Sequence, residues 1–165
     1  MTAHDPTQGR PPAEVQLNLT RADIGFSAAH FSIVGGRAER LHGHNYRVEL
    51  RARGSLRADG TLVDFAVLKR ALRDVCASLD ERTLLPLHSD RVAVREDGDQ
   101  VDVVEGTRHF RFPREDVRLL PIPNTTCESL ATHLMLAVRA RLGDAPVRLE
   151  LTVEETPGQS ATVAE

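Results

Sequence analysis

The chain has 165 residues, 41% of them hydrophobic, and a formal net charge of −3, which suits one domain with a real core. The near-neutral balance gives no electrostatic basis for nucleic acid or an anionic membrane surface as partner, and no apolar run approaches the roughly 20 residues that span a bilayer. Two cysteines, Cys76 and Cys127, make no disulfide framework. In chain order, "MTAHDPTQGRPPAEV" is polar and proline-rich with no apolar signal segment. Residues 1–13 therefore read as a disordered leader and the protein as cytoplasmic. A single domain is expected over 14–157.

"EVQLNLT" alternates, with Val15, Leu17 and Leu19 on one face, which signals a strand. "ADIGFSAAHF" continues with Ile24, Phe26, Ala28 and His30 on one parity. The parity slips between Leu19 and Ile24, which predicts a bulge or bend. A Gly-Gly loop, "SIVGGRAERL", precedes a third alternating run, "HNYRVELRARG", through Tyr46, Val48, Leu50 and Ala52. After the "RADGT" turn the period lengthens. Phe65, Leu68, Leu72, Val75, Cys76 and Leu79 follow helical spacing, so a helix runs from Asp64 or Phe65 to about Leu79. Residues 88–112 read as a β-insertion built from "RVAV", "QVDVV" and "RHFRF". A second helix follows "LLPIPN", with Thr125 and Glu128 as its capping box and Gly143 as its stop. "PVRLELTVEET" is a last strand with Val147, Leu149, Leu151 and Val153 on one face, and residues 158–165 read as a C-terminal tail. The order β, β, α, β-insertion, α, β predicts an α+β fold: an antiparallel sheet with helices on one face.

Three of the seven histidines gather between residues 26 and 46. His42 and His44 are i, i+2 on a strand, so they share a face. His30 ends the preceding strand. If the two strands pair, three imidazoles meet at one end of the sheet, the ligand set of a catalytic zinc site with its fourth position open. Scattered surface histidines are the plain alternative. Glu155 continues the parity of Val153, so it is either solvated beyond the strand's end or a carboxylate held in a cleft. Cys127 lies in the first helical turn, where the dipole can lower a thiol pKa, yet both cysteines have the character of ordinary core residues.

The set "FSAAH…LHGHNY", "LVDFAVLKRAL", "LDERTLL", "PIPNTTCESLA" and "VEETP", in this order from about residue 15 to 157, resembles the 6-pyruvoyl-tetrahydropterin synthase and 6-carboxytetrahydropterin synthase family. The resemblance implies the tunnelling fold (T-fold), an antiparallel sheet with two helices on one face whose subunits close into barrels. It implies a homo-oligomer, a hexamer built as a dimer of trimers, with sites between subunits. It makes His30, His42 and His44 zinc ligands, Glu155 the anchor for the pterin's 2-amino and ring N–H groups, and Thr126 with Thr125 contacts to the pterin.

The departures from the family pattern are as informative. Where the pyruvoyl and carboxy enzymes carry a catalytic cysteine in CxxxHGH, this chain has Ala38, followed by Glu39 in "ERLHGH". That pattern resembles the subgroup with glutamate in place of the cysteine. Its members convert a dihydroneopterin substrate, as its (tri)phosphate, to 6-hydroxymethyl-7,8-dihydropterin. Glu39 becomes the candidate general acid/base and Asp80 a candidate relay residue. The family's Asp-His pair is here Asp80–Glu81, with His88 nearby. Alternatives are a 6-carboxytetrahydropterin or 6-pyruvoyl-tetrahydropterin type of lyase, and a non-catalytic pterin-binding member.

Overall fold

A computed structural model describes residues 14–165; the leader reading of residues 1–13 lies outside the described residues. The alternating runs become strands β1 (Val15–Leu19), β2 (Gly25–His30) and the long β5 (His42–Gly54). Between them, two short strands, β3 (Ile33–Val34) and β4 (Arg37–Ala38), make a hairpin in the Gly-Gly loop. After helix α1 (Phe65–Ala77) come β6 (Arg82–Pro86), the insertion strands β7 (Val92–Asp97), β8 (Gln100–Glu105) and β9 (Arg108–Pro113), and β10 (Val117–Leu120). Helix α2 (Cys127–Leu142) is followed by β11 (Arg148–Thr156) and β12 (Gln159–Ala164).

The main sheet has the order β10-β6-β2-β5-β11-β12, with β1 also paired to β5. β1 and β2 lie end to end along one edge of β5, β11 along the other. The parity slip between Leu19 and Ile24 is the step between β1 and β2. Leu19 faces Leu50 and Gly25 faces Arg47, so five residues of one strand pass two of the other, Val48 and Glu49. Gly25 permits this. A Cβ there would stand 2.0 Å from the Tyr46 carbonyl oxygen, so no other residue lets the strands approach so closely.

Two expectations need correction. The sheet is mixed rather than wholly antiparallel, because β6 runs parallel to both β2 and β10. β2 and β6 both run antiparallel to β5, so they are parallel to each other, and the insertion carries the chain from the end of β6 back to its start, so β10 enters parallel to β6. Most of the expected tail, Gln159–Ala164, is a strand. β12 pairs antiparallel with β11, and Ala161 and Val163 pack on the core. "SATVA" is too small and short to carry a strong apolar alternation, so pairing with β11 decides it.

Both helices lie on one face of the sheet. Asp64 caps α1, its Oδ1 accepting the Ala66 N–H at 2.7 Å, and Leu68, Ala71, Leu72, Val75 and Cys76 turn inward. From α2, Leu130, Ala131, Leu134, Met135 and Val138 meet Leu149, Leu151 and Val153 in the same core. Gly143 ends α2 at φ 58, its N–H bonding to the Arg139 carbonyl at 3.0 Å. A second, smaller core lies under the insertion sheet β7-β8-β9, where Phe31, Leu85, Val92, Val101, Val103 and Val117 are buried together. No helix among the described residues is long and apolar enough to cross a membrane.

Candidate active site

The pairing register builds a histidine cluster. His30 stands directly opposite His42, and Ala28 opposite His44, so all three imidazoles leave the same face. Their ring centroids are 4.7, 4.8 and 5.3 Å apart, and one ligand nitrogen from each lies within 4.8 Å of the others. His30 is buried, His44 half-buried and His42 exposed, so the cluster opens from the core toward solvent.

Two of the rings are oriented by backbone carbonyls. His30 Nδ1 is 2.9 Å from the Thr125 oxygen and His42 Nδ1 is 2.7 Å from the Arg40 oxygen. A carbonyl only accepts, so Nδ1 carries the proton in both rings and Nε2 presents a lone pair. Burial holds the His30 pKa below its ordinary value and keeps that ring neutral. His30 Nε2 is buried and has no hydrogen-bond partner, although Glu155 Oε1 lies 3.1 Å away. Lone pair faces lone pair there, an arrangement that a cation between them would satisfy. Three converging imidazoles, two of them fixed through Nδ1, fit a zinc-type ion, whose Zn–N distances of about 2.0–2.1 Å would draw the nitrogens slightly closer.

Glu155 reaches this cluster from β11. The register of β11 against β12 shifts between Glu154 and Thr156, so Glu155 stays on the inward face past the strand's regular end. Its Oε1 accepts the Tyr46 hydroxyl at 3.1 Å and lies 3.6 Å from His44 Nε2. Tyr46 is buried, and burial first, then the Glu155 carboxylate, raises its pKa, so the phenol stays a donor. Tyr46 has the same parity as His42 and His44, the one signal in the sequence that could have placed it here.

Beside the cluster is a cleft of about 420 Å³ whose walls include Ser32, Glu39, Thr126, Cys127 and Glu155. Glu39 follows the β3–β4 hairpin. Its N–H donates to the Ser32 oxygen at 2.9 Å, and its Oε2 accepts the Ser32 N–H at 3.3 Å. Asn124 clamps the hairpin from the other side, with Ile33 N–H donating to its Oδ1 at 3.0 Å and its Nδ2 donating to the Ile33 oxygen at 2.9 Å. A larger hollow of about 660 Å³, around Arg53, Arg139 and Arg148, lies apart from the histidines. Its arginines are already engaged by Gln16, Glu165 and Glu14.

The residues expected as site residues fall into two groups. His30, His42, His44, Glu39, Glu155 and Thr126 come together. Thr125 does not face the cleft. Its side chain is buried, and its hydroxyl donates to the Phe31 oxygen at 2.9 Å. It serves His30 through its carbonyl instead. The cap of α2 is accordingly Thr126, whose Oγ1 accepts from Ser129 N at 3.4 Å. The Thr125–Glu128 spacing fits a capping box, but tertiary demand for the Thr125 hydroxyl displaces the cap by one residue. Asp80 is absent from the cleft, and its Oδ1 accepts the Ser27 N–H at 2.7 Å. Glu81 follows at φ 54, and His88 is exposed outside the cleft. Cys127 borders the cleft, but its thiol donates to the Val153 oxygen at 3.2 Å and burial raises its pKa. Cys76 is pushed up to about 12 by burial.

Against known proteins, the pattern of the family described as 6-pyruvoyl tetrahydropterin synthase matches residues 19–165. A Methanocaldococcus jannaschii protein provisionally named 6-carboxy-5,6,7,8-tetrahydropterin synthase is 30% identical over 152 residues, covering 89% of this chain and 93% of that protein. The crystal structure of 6-pyruvoyl tetrahydropterin synthase from Plasmodium vivax superposes with a TM-score of 0.88 at 32% identity, over 92% of this chain and 98% of that one. A variant of the same Plasmodium vivax protein, described as a catalytic-residue mutant in which a glutamate becomes cysteine, gives a TM-score of 0.88 at 31% identity, with the same coverage.

Proposed function

The chain belongs to the 6-pyruvoyl tetrahydropterin synthase family, lyase-type enzymes of pterin metabolism, and on that premise we propose that it is a zinc-dependent lyase. Its substrate is 7,8-dihydroneopterin or its phosphates, and its product 6-hydroxymethyl-7,8-dihydropterin. The observation that carries this reading is the side chain at the mouth of the cleft: a glutamate, Glu39, with Ala38 where the thiol enzymes have their cysteine. The catalytic glutamate of the Plasmodium vivax relative supports it.

His30, His42 and His44 would hold the metal through Nε2. A zinc ion there supplies Lewis-acid stabilisation to the oxygens of the pterin side chain. Glu155 and Thr126 line the cleft and would hold the ring, Glu155 accepting its N–H groups; such positioning is worth several kcal/mol, roughly, in a well-oriented site. Glu39 takes the proton from the C2′ hydroxyl. The C1′–C2′ bond breaks, its electron pair passes into the C6=N5 imine of the dihydropterin, and C2′ leaves as an aldehyde. A proton then returns at C1′, delivered by the same carboxyl. General acid–base catalysis of this kind contributes roughly 10²–10⁴-fold.

Assembly into rings stacked as a hexamer belongs to the same proposal, the sheet ending in β10 on one side and β12 on the other. Asp80, bonded to Ser27 within its own chain, could reach a cleft only as part of a neighbouring copy.

A second reading, formation of 6-carboxytetrahydropterin, is favoured by the name of the Methanocaldococcus jannaschii relative. It needs a substitute for the thiol that Ala38 lacks, and the cleft's own thiol, Cys127, is bonded to a carbonyl while burial raises its pKa. The test is mass-spectrometric identification of the product from zinc-loaded protein and 7,8-dihydroneopterin triphosphate, monophosphate and free base. Hydroxymethyl-dihydropterin is expected. Carboxytetrahydropterin would replace the first reading by the second, and a stoichiometric complex without turnover would remove both.

A further inference from the structure

The insertion sheet β7-β8-β9 has no part in the reaction as described, yet one of its side chains reaches the catalytic loop. Arg108, the first residue of β9, donates from Nη1 to the carbonyl oxygen of Glu39 at 2.7 Å. Its Nε donates to Glu105 Oε2 at 2.7 Å, and Nη2 lies 2.6 Å from the same oxygen. The guanidinium carbon stands 5.7 Å from the Phe31 ring centre and 5.8 Å from that of Phe110. Those two rings are stacked on each other, 5.8 Å between centroids at 19°.

This is more than a surface ion pair, which would contribute little. The cation is set beside two aromatic rings and locked by one carboxylate, and it spends an N–H on a backbone carbonyl rather than on water. Charge-assisted bonds of this length are the strong ones, and only a planar fork can serve Glu105 and Glu39 together. The peptide it grips matters. The N–H of Glu39 is already tied to Ser32, so Arg108 fixes the other end of the same residue. Phe31 belongs to both systems, lying beside the guanidinium and next to His30 in the chain.

We propose that Arg108 is a positioning residue for Glu39: its grip on the Glu39 carbonyl aims that carboxylate into the cleft, which makes the insertion part of the catalytic apparatus. The inference rests on Glu39 being the acid/base of the proposed reaction.

Arg108→Met and Arg108→Lys, each with Glu39 intact, together with Glu39→Ala and the double variant Glu39→Ala/Arg108→Met, test it. The assay is turnover of 7,8-dihydroneopterin triphosphate by zinc-loaded protein, with zinc content and equilibrium binding of neopterin measured in parallel. For Arg108→Met we expect kcat to fall about 10- to 100-fold, the range that slight misplacement of a reacting group costs. KM, zinc content and neopterin affinity should stay at wild-type levels, and Arg108→Lys should recover part of the rate. The double variant should be no slower than Glu39→Ala alone, because the grip has nothing left to aim. A double variant slower than Glu39→Ala by the full Arg108→Met factor would make Arg108 merely structural and overturn the inference. So would wild-type kcat in Arg108→Met, or a loss confined to zinc or ligand binding. Full activity in Glu39→Ala would instead remove the acid/base reading itself, and the inference with it.

Discussion

The two cores of this molecule carry different parts of the site. The large core, between the main sheet and the two helices, ends at His30, His42 and His44, whose backbones are held by strand pairing in register. The small core, under the insertion sheet, supports the loop that carries Glu39, and Phe31, Ile33 and Ala38 belong to it. The candidate metal ligands stand on strands, where geometry is stiff. The candidate acid/base stands on a loop, where a side chain can approach and leave a reacting proton. The loop needs external bracing because its own hydrogen bonds are few, and Asn124 and Arg108 provide it from two sides.

The contrast can be broken most directly by truncating each core. Leu134→Ala in the large core should cost about 2–5 kcal/mol, as buried leucine truncations do. Val103→Ala in the small core removes two carbons rather than three and should cost about 2 kcal/mol at the roughly 0.8 kcal/mol per carbon scale with a small cavity contribution. Urea titrations measure both. If the two costs prove equal, the cores are one cooperative unit and the division of labour fails. Metal removal probes the strand-borne half alone. Chelation should lower the melting temperature of the wild type, with about 2.7 kcal/mol at stake at a hundredfold excess of metal over Kd, and should leave the melting temperature of His42→Ala unmoved.

Thr126 sits where the two halves meet, capping α2 and lining the cleft. Thr126→Val should lose about 1 kcal/mol of stability through the cap, while Thr126→Ser keeps it. Equal stability in the valine and serine variants, by thermal denaturation, would deny the cap its role. The smallest effect expected is in the pH dependence of the helical layer. His133 on α2 has its pKa lowered, by burial first and by Arg118 second. Unfolding releases it to its ordinary value, so the unfolded chain binds more protons in the window below about 6.5. Stability is therefore full above that value and is lost as pH falls toward the folded-state pKa. Urea midpoints at pH 7.5 and 5.5 should differ in that sense, and His133→Phe should flatten the difference. A midpoint rising on acidification would reverse the assignment.

Much of this was legible in residues alone. The i, i+2 spacing of His42 and His44 fixes their common face, and the inward parity of Glu155 is readable from Val147 onward. Helices α1 and α2 announce themselves by period and by caps. Of the three hidden features, two depend on a partner distant in the chain, and the third on a hairpin neighbour whose pairing the small side chains do not advertise. Thr125 looks like a cap until Phe31 claims its hydroxyl, 94 residues away in sequence. Asp80 reads as a relay residue, and only the fold places its carboxylate on the Ser27 N–H, apart from the cleft of its own chain. Residues 159–164 look like a tail until β11 offers an edge.

By itself the sequence determined the types of element, the faces they bury and the chemistry on offer, because periodicity and side-chain identity are local properties. Only the tertiary structure decided the mixed sheet, the opposition of His30 to His42, the lone-pair contact between His30 and Glu155, and the reach of Arg108 to Glu39. Each of these is a pairing across the fold, and a buried polar group takes whichever partner the packed chain brings within hydrogen-bonding distance.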